Sequence, residues 1–339
     1  MNRTVKASSA LKFGALASAA FVFATGFCLC GAAFAQSYPT KPISMIVAYP
    51  PGGSTDTLAR VIATAMSKDL GQQVIVENVG GGGGTIGTQR VIKAAPDGYT
   101  ITFGNMGSLA IAAPLYPNIK FDPVKDLAPI GLVADVPMVL SVSTKSGIQT
   151  LPELVERLSK NDKSVNIGTA GPGSTGHIAA AMFLFVAKKD ATLVSYRGAG
   201  PALTDLMAGT VDVVIDQTVT MIPLHTSNRV KSIGVASKQR LKQIPDVPTF
   251  IEGGVAAFDL SVWNGMSAPA ATPPAVIDRL AKALALALKD PAVIERMEQM
   301  AAVIPPLSEQ GPKAFGELIA KDTIRFTELI KAAKITAEN

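Results

Sequence analysis

Residues 43–71, ISMIVAYPPGGSTDTLARVIATAMSKDLG, hold the unit from which the fold follows. The opening apolar run, 43–48, has the length and β-branched content of a buried strand. The next residues, Tyr49-Pro-Pro-Gly-Gly-Ser, read as a turn, and 55–70 as a helix. Leu58, Val61, Ile62, Ala65, Met66 and Leu70 recur three and four apart, which makes one apolar face to lay on a sheet. Gly71 stops the helix. A strand, a glycine-bearing bend and an amphipathic helix make half of a βα crossover, so an α/β fold with a mainly parallel sheet flanked by helices is predicted.

Toward the C-terminus the alternation continues. Residues 74–76 read as a strand, 80–84 as a glycine bend, 85–94 as a helix, 96–98 as a turn and 99–103 as a strand. An apolar strand at 137–143 precedes a fresh helix start, where Thr150 and Glu153 form a capping box with Pro152 in the first turn. A second set follows: strand 165–168, loop 169–174, helix 175–187, strand 192–195, helix 201–208, and strands 211–215 and 231–236. After Pro245, Pro248 and Gly253-Gly254 come helical segments at 273–288, 291–300 and 308–334. The expected division is a signal segment at 1–35, a first lobe at 36–143, a second lobe at 144–258 and a return to the first lobe at 259–339. Two connections of that kind form a hinge.

Toward the N-terminus, Arg3, Lys6 and Lys12 precede the apolar run 13–29 and the small-residue stretch Ala32-Ala33-Phe34-Ala35. This is the pattern of a secretory signal peptide cleaved before Gln36. A retained anchor is the alternative, against which stand the shortness of the run and the lack of a second apolar span of about 20 residues. Cys28 and Cys30, the two cysteines of the sequence, both fall in this segment. Phe27 and Leu29 stand where a lipid-attachment motif wants a small residue. The mature chain therefore carries no thiol, and with two histidines a metal site of nitrogen or sulfur ligands is not expected. The segment holds three of the five net positive charges. A nearly neutral mature chain argues against nucleic acid as a partner, while an anionic ligand needs only local complementarity.

Two bends are alike. Pro51-Gly-Gly-Ser-Thr-Asp56 and Gly171-Pro-Gly-Ser-Thr-Gly-His177 each join a buried strand to a helix start. A helix N-terminus offers unpaired N–H groups and about half a positive charge, which suits a carboxylate. Glycine lets a ligand approach the backbone, and the hydroxyls of Ser54, Thr55, Ser174 and Thr175 either donate to it or cap the helix. Asp56 suits the helix dipole in the first turn or pairs with a ligand ammonium; His177 faces the cleft or bonds within its lobe. Gly82-Gly83-Gly84-Thr85-Ile86-Gly87 fits a dinucleotide fingerprint, but Gly104 and Asn105, not an acid, follow the next strand. Ser174, Asp216 and His225 follow the order of a hydrolase triad, but Pro172 stands where the nucleophile elbow needs its first glycine.

Further motifs extend this grammar. The stretches at 38–47, 51–60, 74–78 and 96–100, then Gly171-Pro-Gly-Ser with His177, Tyr196-Arg-Gly-Ala-Gly-Pro-Ala-Leu-Thr-Asp-Leu-Met-Ala-Gly209 and Val211-Asp-Val-Val-Ile-Asp216, occur in a specific order. From about residue 38 to the C-terminus the chain resembles the Bug (TctC-type) solute receptors of tripartite tricarboxylate transporters. The resemblance implies a two-lobed Venus-flytrap fold and a monomeric, cofactor-free, non-enzymatic periplasmic receptor for a small carboxylate. Its partners would be the membrane subunits of such a transporter. It also implies that one ligand carboxylate is held by Tyr49, Gly52, Gly53, Ser54, Thr55 and Asp56 together with Thr169, Ala170, Gly173 and Ser174, partly through water, with His177 a further ligand-binding candidate. Asn105, Tyr196, Asp216, Gln217 and Trp263 are the candidates for reading the far end, and Arg197 for a second carboxylate. A secreted enzyme acting on a small carboxylate and a periplasmic sensor are the alternatives.

Overall fold

The computed structural model describes residues 38–116, 118–160, 165–255, 258, 260–333 and 335–337, so the segment read as a signal peptide lies outside the described residues. Lys41–Asn339 pack as one unit; residues 1–40, of which 38–40 are described, belong to another. The larger unit starts with β1 (Ile43–Val47), which leads through the Pro-Pro-Gly-Gly bend into α1 (Ser54–Leu70). The apolar stripe of α1 is buried at Leu58, Ile62, Ala65, Met66 and Leu70, and Gly71 ends the helix in the left-handed region at φ 66°. β2 (Val74–Asn78) lies parallel to one side of β1, reached directly from α1. The glycine run and α2 (Thr85–Ile92) then carry the chain to β3 (Thr100–Asn105) on the other side. A π-helical turn at Gly107–Ile111, α3 (Ala112–Leu115) and α4 (Pro123–Asp126) follow.

β4 (Leu127–Ser143) is the strand that organises the rest. The chain leaves it through α5 (Leu151–Leu158), β5 (Asn166–Thr169), α6 (Thr175–Ala187), β6 (Thr192–Ser195) and α7 (Ala199–Ala208). It continues through β7 (Val213–Gln217), α8 (Thr218–Thr226) and β8 (Val230–Val235), and returns as β9 (Ser261–Pro269). The strand order is β2-β1-β3-β9-β4-β7-β5-β6, with β8 paired to β4. Residues 127–137 of β4 pair with β9, whereas 138–143 pair with β7 and β8. One strand thus belongs to two half-sheets and changes partners between Pro137 and Met138.

This differs from the sequence expectation in several ways. The strand predicted at 137–143 is the second part of a longer one, and its residues 138–143 pair with the second half rather than the first. Pro129, Gly131 and Pro137 hid the first part, because proline and glycine demote a strand reading. Each half is mixed rather than mainly parallel, since β9 runs antiparallel to β3 and β4, and β4 antiparallel to β7 and β8. Finally, α8 and β9 were not predicted. Pro223 sits inside α8, and most residues of β9 are buried, which erases period-two alternation.

The C-terminal helices α9 (Pro274–Ala287) and α10 (Pro291–Gln299) pack on α1, where Lys68 pairs with Asp290 at 2.8 Å. The last segment, predicted as one helix, is divided at Gly311 into α11 (Leu307–Gln310) and α12 (Pro312–Ala332). α12 packs on β4 and the π-helical turn through Phe315, Ile319 and Phe326. In the second half, Phe183, Phe250 and Phe258 stack edge to face or tilted at centroid distances of 4.5–6.1 Å. Among the described residues no helix is long and apolar enough to cross a membrane.

Candidate anion-binding cleft

The first half contributes the bend after β1. Gly52 occupies φ 87°, and Gly53 is the N-cap of α1 with no side chain capping that end. By position, the first N–H groups of α1 have no intrahelical acceptor. Ser54 and Thr55 line the cleft and neither caps the helix. The Thr55 hydroxyl accepts from the Asn105 side-chain amide at 2.9 Å. The Asn105 carbonyl in turn accepts from the Tyr49 phenol at 3.0 Å and the Gly107 N–H at 2.9 Å. Tyr49 also donates to the Gly83 carbonyl, and burial above all pushes its pKa up.

Asp56 braces this bend from behind. Its carboxylate accepts from the Gly52 N–H at 3.1 Å, Arg60 Nε at 3.2 Å and the Asn78 side-chain amide at 2.9 Å. Burial pushes its pKa up, but the bonds from Arg60, Asn78 and Gly52 and the charge of Arg60 outweigh that and hold it below the usual carboxylate value. Asp56 does not line the cleft, where an ammonium partner had been considered.

From the second half come Ala170, Ser174, Thr175, Ala199, Asp216 and Gln217. Ser174 caps α6, accepting from the His177 N–H at 3.2 Å. Ala199 opens α7, and Gln217 is the uncapped N-cap residue of α8. The N-terminal ends of four helices, α1, α6, α7 and α8, therefore supply lining residues, and no Arg, Lys or His stands among those residues. Two of these ends escaped the sequence reading. α7 was predicted to start at Pro201, although Gly198-Ala-Gly200 after a strand repeats the bend grammar of the other sites. α8 follows β7 without any glycine, so nothing in the sequence marked it.

The halves touch directly across this space, which is about 330 Å³ with its open mouth included. Ser54 Oγ lies 3.5 Å from Asp216 Oδ2 and 3.1 Å from Thr220 Oγ1. The Tyr116 phenol donates to the Pro172 carbonyl at 3.0 Å, and the Asn264 amide to Gln217 Oε1 at 2.9 Å. A Cβ added at Gly83, which has φ +63°, would stand 2.1 Å from the Pro172 carbonyl oxygen. The glycine run thus serves a close backbone approach between the halves.

Asp216, at the end of β7, is buried and accepts from Thr220 Oγ1 at 2.7 Å. Burial pushes its pKa up to about 6, with the hydrogen bonds from Thr220, the Gln217 N–H and Ser54 opposing. The hydroxyls of Thr169 and Thr218 are buried without a hydrogen-bond partner among the described residues, as is Asn264 Oδ1.

Of the expected site residues, Tyr49, Gly53, Ser54, Thr55, Asn105, Ala170, Ser174, Asp216 and Gln217 line one cleft, joined by Pro50, Thr175 and Ala199. The others stand elsewhere. Gly52 holds Asp56, and Thr169 ends β5 behind Ala170. His177 Nδ1 accepts from the Gly173 N–H at 3.3 Å, so both residues shape the loop from within the second half. Tyr196 donates to Asp205 at 2.5 Å and its pKa is pushed up to about 12 by burial and then by that carboxylate; Arg197 is exposed. Trp263 points into the first half, donating to Asp322 at 2.6 Å and meeting the Phe315 ring edge-on at 5.4 Å.

The sequence profile described as tripartite tricarboxylate transporter family receptor matches residues 58–335. A UPF0065 protein of Agrobacterium vitis, from the TAR-I ttuE-ttuC' intergenic region, is 39% identical over 298 residues, covering 88% of this chain and 86% of its own. The solved structure of the periplasmic binding protein BugD is 37% identical, with a TM-score of 0.84 over 88% of this chain and 99% of that one. MatC from Rhodopseudomonas palustris, solved with bound malate, is 32% identical, with a TM-score of 0.83 over 86% of this chain and 100% of that one.

Proposed function

Because the chain belongs to the tripartite tricarboxylate transporter family receptors and has the α/β periplasmic-binding-protein fold, we propose that it captures a small carboxylate in the periplasm for uptake by such a transporter. The observation that carries this reading is the ring of helix N-termini around a cleft lined by no cationic side chain. Backbone N–H groups and helix dipoles hold a carboxylate there, with the Ser54 and Thr55 hydroxyls beside them. The malate bound in MatC supports a short acid as the ligand class.

The two half-sheets act as lobes, residues up to Pro137 and from about Leu260 onward forming one, and the stretch between them the other. Both connections, in β4 and just before β9, lie side by side, since the Met138 N–H donates to the Leu260 carbonyl at 3.2 Å. A ligand touching both lobes shifts the population toward the closed form, and the membrane subunits read that form. The protein captures its ligand without chemistry, acts as a monomer, and reaches the periplasm through the segment 1–35.

The test is calorimetry against a panel of di- and tricarboxylates, aromatic acids and amino acids, with NMR of the recovered ligand. Binding with the ligand unchanged is expected; turnover refutes the reading, as does a panel with no binder. Ser54→Asp places a carboxylate beside Asp216 and at the anion end of α1, and abolishes binding. Unchanged affinity in that variant removes the α1 bend from the site.

A further inference from the structure

We infer that Asp216 sets the ligand class: the short aliphatic acid held in this cleft carries a hydroxyl or ammonium hydrogen-bond donor that meets Asp216. This rests on the receptor reading above and deepens it. Most of the cleft is built for an anion, yet one wall is itself a carboxylate. Asp216 immediately precedes Gln217, the N-cap residue of α8, and its pKa is lowered by the Gln217 N–H, so it engages the positive end of that helix itself. Three helix ends, those of α1, α6 and α7, are left for the ligand's carboxylate.

No positive side chain neutralises Asp216. The groups that bond it are Thr220 from α8 and Ser54 from α1, both hydroxyls, and the Gln217 N–H of its own strand. Tyr49, from the bend after β1, is the titratable lining residue that feels its charge. β4 and β5, the strands beside β7, bring no charged residue to the lining. Ser54 and Thr220 also bond each other, so the hydroxyl protons around Asp216 are shared among three oxygens. A ligand group arriving here meets an acceptor in low-dielectric surroundings. A second ionised carboxylate is repelled, whereas a hydroxyl or ammonium on the same carbon skeleton donates to Asp216.

Carboxylic acids with the same skeleton isolate this choice. Succinate, L-malate and L-aspartate share a four-carbon diacid frame and differ in carrying no donor, a hydroxyl or an ammonium. Calorimetry at about pH 8 is expected to give malate or aspartate at least roughly tenfold tighter binding than succinate, the worth of one hydrogen bond to a charged group. Which of the two donors wins separates a hydroxyl site from an ammonium site. In Asp216→Asn, and in Asp216→Ser as a second variant, the preference is expected to fall to within about threefold, because malate and aspartate lose the bond to the carboxylate that succinate never makes. Below about pH 6 the wild-type preference shrinks in the same way as Asp216 takes up a proton. The asparagine variant shows only the pH dependence of the ligands themselves.

A preference that survives intact in both variants, or equal binding of all three acids by the wild type, overturns the role of Asp216 while leaving the receptor reading standing. Failure of all three to bind overturns the inferred ligand class. The receptor reading then stands or falls on the wider panel.

Discussion

The side-chain amide of Asn105, at the end of β3, donates to the Thr55 hydroxyl in the first turn of α1 at 2.9 Å, across 50 residues of sequence. A hydroxyl that accepts on one side presents its own proton on another, so Thr55 is set as a donor toward the cleft it lines. Thr55→Val keeps the shape and removes the donor. Affinity for whichever acid of the calorimetric panel binds is expected to fall roughly ten- to a hundredfold with the melting temperature nearly unchanged, read by calorimetry and thermal unfolding.

Tyr116 joins the two halves through the Pro172 carbonyl at 3.0 Å. Tyr116→Phe removes that bond without touching the cleft lining. The ligand-free protein should open, giving a larger radius of gyration in X-ray scattering, and ligand affinity should drop by about two- to tenfold, the range of one neutral hydrogen bond. An unchanged scattering profile would show that this contact does not hold the closed form.

Trp263 was a candidate for ligand contact, but its indole serves Asp322 and Phe315 in the first half. Trp263→Phe leaves the buried Asp322 short of a donor, at a cost of about 1–3 kcal/mol. Thermal unfolding should therefore shift down by several degrees while affinity for the acid the panel identifies stays within about twofold of the parent.

Asp216 gives the ligand-free protein a pH dependence of definite sign. Its folded-state pKa of about 6 lies above the ordinary 3.8, so folding favours the protonated form. The stability it contributes is fully present below about pH 3.8 and is lost as pH rises through about 6. Asp216→Asn cannot ionise and should be more stable than the parent above that range, by at most on the order of 3 kcal/mol. Urea titrations of both proteins should converge toward pH 4; a constant difference across pH would remove the carboxyl's ionisation as the cause.

Several elements were legible because local rules determine them. α6 and β6 follow the predicted bounds, and α1, which carries its own amphipathic stripe and glycine stop, departs by one residue. The capping box at Thr150 and Glu153 is present as read, and of the two roles left open for Ser174 the fold shows the cap. Ser54 and Thr55 went the other way. The neighbouring Gly53 takes the N-cap position, which frees both hydroxyls for Asp216, Thr220 and Asn105, residues brought to them only by the folded chain.

By itself, then, the sequence determined the βα grammar and the two glycine-bearing bends, since each is written in contiguous residues with a local physical cause, and the family through the order of its motifs. Only the tertiary structure decided which of those residues share a cleft. It turned Asp56 to Arg60 and Trp263 to Asp322, and it added the ends of α7 and α8. It also routed β4 through both half-sheets. These outcomes depend on pairings between distant strands and on which partner satisfies each buried polar group, and such long-range competition leaves no periodic or positional trace in the chain.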